Sequence, residues 1–192
     1  MVWYRIDKKR TTEDLLKLSI GWLKKHDCLM EKAIVNGELT WKRSSGLCPP
    51  KEIASVMYFT NFIGENRSIT LSYTYNDKEN IRFEIPVVCS FPHYGGKRYW
   101  FVCPRCGRKV AFLYGGKYFW CRQCQNLSYP TQQMGFLGRM FEKSRKYEER
   151  VLDDGRRKRW VHHSTLEKYM GKAEYYEKLG LVAMYRTFNS KM

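Results

Sequence analysis

The sequence predicts an α+β fold in three parts: an N-terminal antiparallel β-meander with a helix (1–90), a central ribbon (91–130) and a C-terminal helical hairpin (131–192). Three observations predict this fold. Residues 54–89 form short alternating apolar runs between polar turns, as in a meander. Residues 99–129 place two Cys-x-x-Cys pairs on aromatic runs separated by glycines. The last third repeats apolar residues at intervals of three and four, which indicates amphipathic helices.

The N-terminal part begins with a predicted helix over residues 12–26. Thr11 is the expected N-cap, and Asp14 at the third position gives an arrangement like a capping box. Apolar residues then recur at helical spacing. This face consists of Leu15, Leu16, Ser19, Trp22 and Leu23. We expect the helix to cover the apolar face of the sheet that follows.

Four strands follow, predicted over residues 38–43, 54–60, 68–75 and 81–89. Residues 44–50 have the composition of a turn and are a candidate flexible loop. Asn76 and Asp77 form the last turn of the meander. Pro86 lacks a backbone N–H, so it confines its strand to a sheet edge or ends its regular pairing.

The ribbon carries four cysteines with the spacing C-x2-C-x14-C-x2-C, which is typical of a four-cysteine zinc site. Its predicted strands are three aromatic runs, and Gly115 and Gly116 form a hairpin turn between two of them. Gly107 and Asn126 follow the two pairs, where a knuckle turn needs a positive φ. Four thiolates close the coordination shell, so we predict a zinc ribbon with one structural Zn²⁺. The ligands are Cys103, Cys106, Cys121 and Cys124.

Other interpretations of the cysteines have less in their favour. Disulfides would require an oxidising compartment, and a redox Cys-x-x-Cys requires only one pair in a βαβ context. We interpret Cys28, Cys48 and Cys89 as reduced thiols. The N-terminus lacks the apolar run of a signal peptide, and no stretch approaches 18 apolar residues. These features predict a cytoplasmic protein with no membrane partner.

The charge of the chain is strongly positive and unevenly distributed. Net charge is +16, and residues 91–130 contain seven basic residues and no acid. Such a surface, with aromatic residues between the cations, favours nucleic acid, DNA or RNA, as the partner. A solvated basic face without function is the alternative. The candidate contacts in the ribbon are Lys97, Arg98, Arg105, Arg108, Lys109, Lys117 and Arg122. Phe112, Phe119 and Trp120 are expected to pack inside the ribbon or at its junction.

The C-terminal part is predicted to be two helices. The first has a stripe from Phe136 to Val151, and the second begins at Ser164 with Glu167 completing a capping box. Gly180 is the expected end of the second helix. The loop between the helices is a second candidate phosphate-binding site. It contains Arg156, Arg157, Lys158 and Arg159.

The stretch 91–133, FPHYGGKRYWFVCPRCGRKVAFLYGGKYFWCRQCQNLSYPTQQ, resembles a family of uncharacterised bacterial zinc-ribbon proteins. Members are often encoded near phage, plasmid and transposon genes. The shared pattern is a GG-x-R/K stretch with aromatics, a CP-x-x-C-type knuckle, a Y-GG-x-Y-F element, C-R-x-C, and a Leu-x-Tyr-x-x-Q tail. The resemblance implies a zinc ribbon and a mobile-element setting, and it implies no activity.

We expect a non-enzymatic zinc-ribbon protein that binds nucleic acid. One alternative is a module that docks on a host nucleic-acid machine, such as RNA polymerase or a CRISPR effector, as a regulator or inhibitor. Another is a nuclease, which would need clustered carboxylates for Mg²⁺. The adjacent acids lie outside any strand-end or motif context. They are Glu13 with Asp14, Glu148 with Glu149, and Asp153 with Asp154.

Overall fold

The computed structural model describes residues 8–45, 48–76 and 78–189. The chain is mixed α+β, and it divides after Ser128 into two compact units. The first unit contains antiparallel sheets and one short helix, and the second consists mainly of helices. The first unit includes both the meander and the ribbon regions. No helix in the described ranges has the length and hydropathy that a membrane span requires.

The first unit contains nine strands and one helix in the described residues. Six strands form one antiparallel meander in chain order, β2 to β7, and the other three form a second sheet in the order β1, β8, β9. The elements are β1 (Leu16–Ser19), α1 (Ile20–Lys25), β2 (Ile34–Ser45), β3 (Cys48–Asn61), β4 (Arg67–Tyr75), β5 (Glu79–Ser90), β6 (Arg98–Val102), β7 (Lys109–Val110), β8 (Phe112–Gly115) and β9 (Phe119–Trp120).

The predicted ribbon is shared between the two sheets. Its first hairpin, β6 and β7, continues the meander, because Phe101 pairs with Val87 of β5. Its second hairpin, β8 and β9, belongs to the smaller sheet, and only Ala111 separates β7 from β8. The ribbon hairpins therefore lie in different layers of the first unit.

A single core fills the space between these layers. Alternate meander residues such as Ile69, Ile85 and Phe101 are fully buried, as the period of a half-buried strand requires. Leu113 and Phe119 of the smaller sheet belong to the same core cluster. The Phe119 ring also lies against Trp41, Tyr73 and Phe83. The smaller sheet, together with Ile20 and Leu23 of α1, therefore covers the meander, where we had expected the helix alone.

The predicted helix over residues 12–26 is wrong in its first half. Asp14 does accept hydrogen bonds from the Thr11 backbone N–H and hydroxyl, but these bonds close a turn. Leu16 and Leu18 then alternate with Lys17 and Ser19 and pair with β8. Only α1 is helical, with the Ser19 hydroxyl accepting from the Trp22 N–H as its N-cap.

The four predicted meander strands are present, and each is longer than predicted. Strands β2 and β3 extend through most of the predicted loop 44–50, of which residues 46 and 47 lie outside the described residues. The predicted turn at Asn76 includes residue 77, which is also outside them. Pro86 lies where β5 changes partners, because pairing with β4 ends and pairing with β6 begins at Val87.

The second unit contains α2 (Pro130–Gln133), α3 (Phe136–Val151), β10 (Leu152–Asp153), β11 (Arg156–Arg157) and α4 (His163–Asn189). Met140, Ser144 and Val151 of the predicted α3 stripe are buried. Helices α3 and α4 contact each other in opposite chain order. Tyr147 lies against Tyr169 and Tyr176, and Phe141 lies nearer the end of the chain, at Gly180.

Two predicted features of the second helix are wrong. The capping box at Ser164 does not form, because α4 already begins at His163. The Ser164 hydroxyl instead bonds the His162 ring, and Glu167 pairs with His163. Gly180 does not end the helix, which continues to Asn189. A Cβ at this position would lie 3.1 Å from the Phe141 ring, so glycine serves close helix packing here.

Candidate metal centre and basic surfaces

The four predicted cysteine ligands converge at one place in the first unit. Each offers one Sγ atom, and the four atoms lie within 4.8 Å of one another. The Cys103 and Cys124 sulfurs are 4.0 Å apart, and those of Cys106 and Cys121 are 3.7 Å apart. A tetrahedral site with metal–sulfur bonds of about 2.3 Å would place its sulfurs about 3.8 Å apart. The donor set therefore fits one metal ion held by both pairs.

The first pair lies in the turn of the β6–β7 hairpin. The Cys103 N–H donates to the Arg108 carbonyl at 2.9 Å, and the Gly107 N–H donates to the Cys103 carbonyl at 2.8 Å. Gly107 has φ +70°, which confirms the positive φ predicted for this knuckle. Residues 103–106 form what we call the first knuckle. Cys103 is buried, whereas Cys106 is exposed.

The second knuckle, residues 121–124, directly follows β9. The Gln125 N–H donates to the Cys121 carbonyl at 3.0 Å, and Asn126 has φ +53°, as predicted. The Gln125 side-chain amide reaches back to the hairpin between β8 and β9, donating to the Tyr114 and Tyr118 carbonyls. A Cβ on Gly116 would lie 3.1 Å from that amide. The glycine therefore allows the knuckle to approach the hairpin closely.

The surroundings of the sulfurs act on their ionisation in opposite directions. A backbone hydrogen bond from Arg108 lowers the pKa of Cys106 to about 7. Burial raises the pKa of Cys124 to about 12 and also raises the pKa of Cys121. Backbone N–H groups of Cys121 and Cys124 approach sulfur atoms within the cluster at 3.4 and 3.5 Å. A bound divalent cation would favour the thiolate at every position, since it supplies the missing positive charge.

The structure assigns internal partners to four of the seven candidate ribbon contacts. Arg105 donates to the Cys124 carbonyl across the two knuckles and also stacks on Trp120. Arg122 donates to the Leu127 carbonyl. Lys97 pairs with Glu31, and Lys117 pairs with Glu79. These four side chains therefore make contacts within the first unit, in addition to any contact with nucleic acid.

The other three candidate contacts are more available for binding a phosphate. Arg98 stacks on Trp100, with its guanidinium carbon 4.1 Å from the ring centre. Arg108 and Lys109 lie at the exit of the first knuckle with exposed side chains. Among the described residues, neither of them has a carboxylate within ion-pair distance. Arg108 and Lys109 are therefore the clearest exposed cations beside the candidate metal centre.

The second candidate basic site belongs to the second unit. Arg156 and Arg157 form β11, and Asp153 pairs directly opposite Arg156 in the hairpin. Lys158 is half-buried and donates to the Glu149 carbonyl. Arg159 is exposed. This site mixes cations with acids of its own segment. Residues 91–130 contain no acid, and two of their cations, Lys97 and Lys117, pair with acids of other segments.

The aromatic and cysteine predictions have mixed outcomes. Phe119 is buried as expected, and Trp120 is half-buried between Arg105 and Tyr118, but Phe112 is 38% exposed. Cys28 and Cys89 are free thiols. The side chain of Cys48 lies outside the described residues.

One surface feature was missed by the sequence analysis. A groove follows β1 and is lined by Lys17, Trp22, Trp41 and Phe112. The groove was not predicted because residues 12–26 were assigned to a helix, and helical spacing places Trp22 on the buried face. The alternation of leucine with Lys17 and Ser19 over residues 16–19 was the available signal for a strand.

Comparison of the chain with protein-family models, curated protein sequences and solved structures finds no match.

Proposed function

We propose that the four thiolates hold one structural Zn²⁺, and that the chain is a non-enzymatic protein that binds nucleic acid through the ribbon. Four sulfur donors at separations close to those of a tetrahedral site suit zinc among the common biological cations. The closed thiolate shell leaves no position for a catalytic water, so the ion acts by holding the knuckles together. A mobile-element or phage origin is part of the proposal on the resemblance of residues 91–133 alone.

The observation that carries the nucleic-acid proposal is the acid-free ribbon, whose cations alternate with aromatic rings. Arg98 lies over Trp100, and Arg108 and Lys109 extend from the first knuckle. Cations neutralise phosphates and release counterions, while ring faces stack on bases. The overall charge of +16 adds long-range attraction to any polyanion.

The experiment is fluorescence-anisotropy titration of zinc-loaded protein with single-stranded and duplex DNA and RNA across a salt series. We expect binding to weaken steeply with salt. Arg108→Ala with Lys109→Ala should weaken binding to all sequences and reduce the salt slope by about two, one for each phosphate contact removed. Failure to bind every nucleic acid at physiological salt would overturn the proposal.

A matched control removes two cations from the meander. Lys51→Ala with Arg82→Ala makes the same change in net charge on exposed residues of β3 and β5. We expect only a small general loss of affinity from this pair. If both double variants weaken binding equally, total charge rather than the ribbon determines affinity. Arg105→Ala is unsuitable as a contact test, because Arg105 bridges the two knuckles.

Docking on a host nucleic-acid machine, such as RNA polymerase or a CRISPR effector, is the second candidate. It is favoured by the loop between β5 and β6, where Phe91 is 74% exposed and the Tyr94 side chain is fully exposed. Exposed aromatic residues are common hot spots of protein interfaces. Capture of one defined host complex after nuclease treatment, lost in Phe91→Ala with Tyr94→Ala, would support it. If nuclease treatment abolishes capture, the host complex is held through nucleic acid, and direct nucleic-acid binding is the better explanation.

A further inference from the structure

The groove along β1 is made by two strand edges that face each other. Strand β1 is the outer strand of the smaller sheet, and β2 is the outer strand of the meander. The Trp41 indole N–H spans the gap and donates to the Lys17 carbonyl at 3.0 Å. The central part of the groove is a depression of about 400 Å³. We call the feature the β1 groove.

Aromatic faces line the centre of the β1 groove. Trp22 of α1 and Phe112 of β8 are 47% and 38% exposed, and half-buried Trp41 forms part of the lining. Trp41 is fixed from behind by its stacking on Phe119, 6.0 Å away between ring centres. Exposed large rings gathered in one depression offer a surface for stacking a flat, unpaired ring.

Cations lie beside these rings. The Lys17 ammonium is 4.1 Å from the centre of the Phe112 ring. A second depression shares Ser19 and Phe112 with the first, and its lining adds Lys24 and Arg98. Among the described residues, Lys17, Lys24 and Arg98 form no ion pair with a carboxylate. Lys24 donates one hydrogen bond to the Lys97 carbonyl at 2.9 Å, which leaves its charge unneutralised. The three charges can therefore attract a bound anion.

The two ends of the β1 groove differ in the charge of the side chains that line them. Among the described residues, the two depressions that meet at Phe112 have no acidic side chain in their lining. A third depression, at the other end of β1, is lined by Glu13 and Asp14 as well as by Lys42 and Arg43. A polyanion would therefore favour the end that holds Lys24 and Arg98.

We propose that the β1 groove binds a single-stranded segment of nucleic acid, with an unpaired base stacked among Trp22, Trp41 and Phe112 and its flanking phosphates on Lys17, Lys24 and Arg98. The inference rests on the proposed nucleic-acid-binding function and names the strand form and the site. A duplex does not suit the groove, because its bases are already stacked on each other and expose only their edges. The groove is separate from the first knuckle, where Arg108 and Lys109 contact only phosphates.

The test uses zinc-loaded full-length protein and fluorescein-labelled oligothymidylate and oligouridylate of about 12 nucleotides, with a duplex of the same length. Lys17→Glu and Trp22→Ala each change an exposed side chain. We expect each to raise the Kd for the single strands by about tenfold, as loss of one stacking or phosphate contact predicts. The Kd for the duplex should change less than threefold in Trp22→Ala. Tyr94→Ala removes an exposed ring elsewhere in the first unit and should leave both Kd values unchanged.

The possible outcomes distinguish failure of the proposed groove site from failure of the proposed nucleic-acid-binding function. If wild-type protein binds duplex and single strands equally and Trp22→Ala has no effect, the single-strand site in the β1 groove is wrong. The proposed nucleic-acid-binding function then remains. Wild-type protein that binds no nucleic acid overturns both. Trp22→Ala that loses capture of a host protein but keeps oligonucleotide binding would assign the groove to an extended protein segment and overturn the inference. Mononucleotide binding as tight as oligonucleotide binding would also overturn it.

A second measurement needs no variant. Oligouridylate carrying 5-iodouracil crosslinks on irradiation to aromatic side chains that stack on the modified base. After trypsin digestion of the crosslinked wild-type protein, we expect the label on a peptide that contains one of the three groove rings: 18–24 with Trp22, 33–42 with Trp41, or 110–117 with Phe112. Labelling confined to other aromatic residues, such as Trp160 or Tyr94, would overturn the inference.

Discussion

The two knuckles have the same Cys-x-x-Cys pattern, but they belong to different sheets. The first knuckle lies between β6 and β7 of the meander, and the second follows β9 of the smaller sheet. The second is also the more enclosed, since the Gln125 amide ties it to the hairpin between β8 and β9. A metal ion held by both pairs would thus join the two layers of the first unit. We therefore expect loss of the metal to affect the whole core of the first unit.

The largest effect should come from breaking the enclosed side of the metal centre. Cys121→Ser removes a buried thiol of the proposed zinc site. Apparent binding energies of about 10–16 kcal/mol for structural zinc match or exceed a typical domain stability of about 5–15 kcal/mol. We expect loss of one zinc per chain by elemental analysis and loss of amide protection across the meander by hydrogen exchange. Helices α3 and α4 should keep their protection, because they pack on each other.

Cys89→Ser is the control for that prediction, since Cys89 is a half-buried thiol outside the cluster. It should retain zinc and meander protection. A Cys121→Ser protein that lost zinc but kept a protected meander would show that the smaller sheet stays in place without the metal. In that case the junction between the layers would depend on Phe119 packing.

Cys106→Ser tests the exposed side of the cluster, because Cys106 is its exposed thiol. The three remaining sulfurs can hold zinc while water or the serine hydroxyl occupies the fourth position. We expect weaker zinc retention against a chelator, with the meander still protected in excess zinc. Equal loss of protection in Cys106→Ser and Cys121→Ser would remove the distinction between an exposed and an enclosed knuckle.

Gln125→Ala should have a smaller effect. The change leaves the Tyr114 and Tyr118 carbonyls without their amide donor, and each of these half-buried hydrogen bonds contributes about 0.5–1.5 kcal/mol. Urea unfolding of the zinc-loaded protein measures it. Gln123→Ala is the matched control, since Gln123 is exposed in the same knuckle, and it should stay within about 0.5 kcal/mol of wild type. Equal midpoints for the two variants would mean that the amide bridge contributes nothing.

The knuckles also explain how much the sequence could predict. Cysteine spacing, Gly107 and Asn126 act within a few residues, so the ligand cluster and both positive φ angles follow from local pattern. The placement of the hairpins does not, because β1 pairs with β8 almost a hundred residues further along the chain. The local capping pattern at Thr11 favoured a helix, but long-range pairing with β8 makes residues 16–19 a strand. Composition likewise indicated cations in the ribbon but could not show that Lys97 pairs with Glu31, 66 residues away.

The smallest predicted effect concerns the residues that close the two knuckles. Gly107 has φ +70°, and no atom lies within 4 Å of a Cβ built there, so Gly107→Ala tests backbone conformation alone. A left-handed alanine costs about 1–2 kcal/mol, which urea unfolding of zinc-loaded protein can resolve. Gly107→Asn should recover part of the loss, because asparagine tolerates the left-handed region, as Asn126 does at φ +53° two residues after the second Cys-x-x-Cys pair. If Gly107→Asn is no more stable than Gly107→Ala, the turn after the first knuckle requires glycine itself, and an asparagine tolerated after the second knuckle does not replace it.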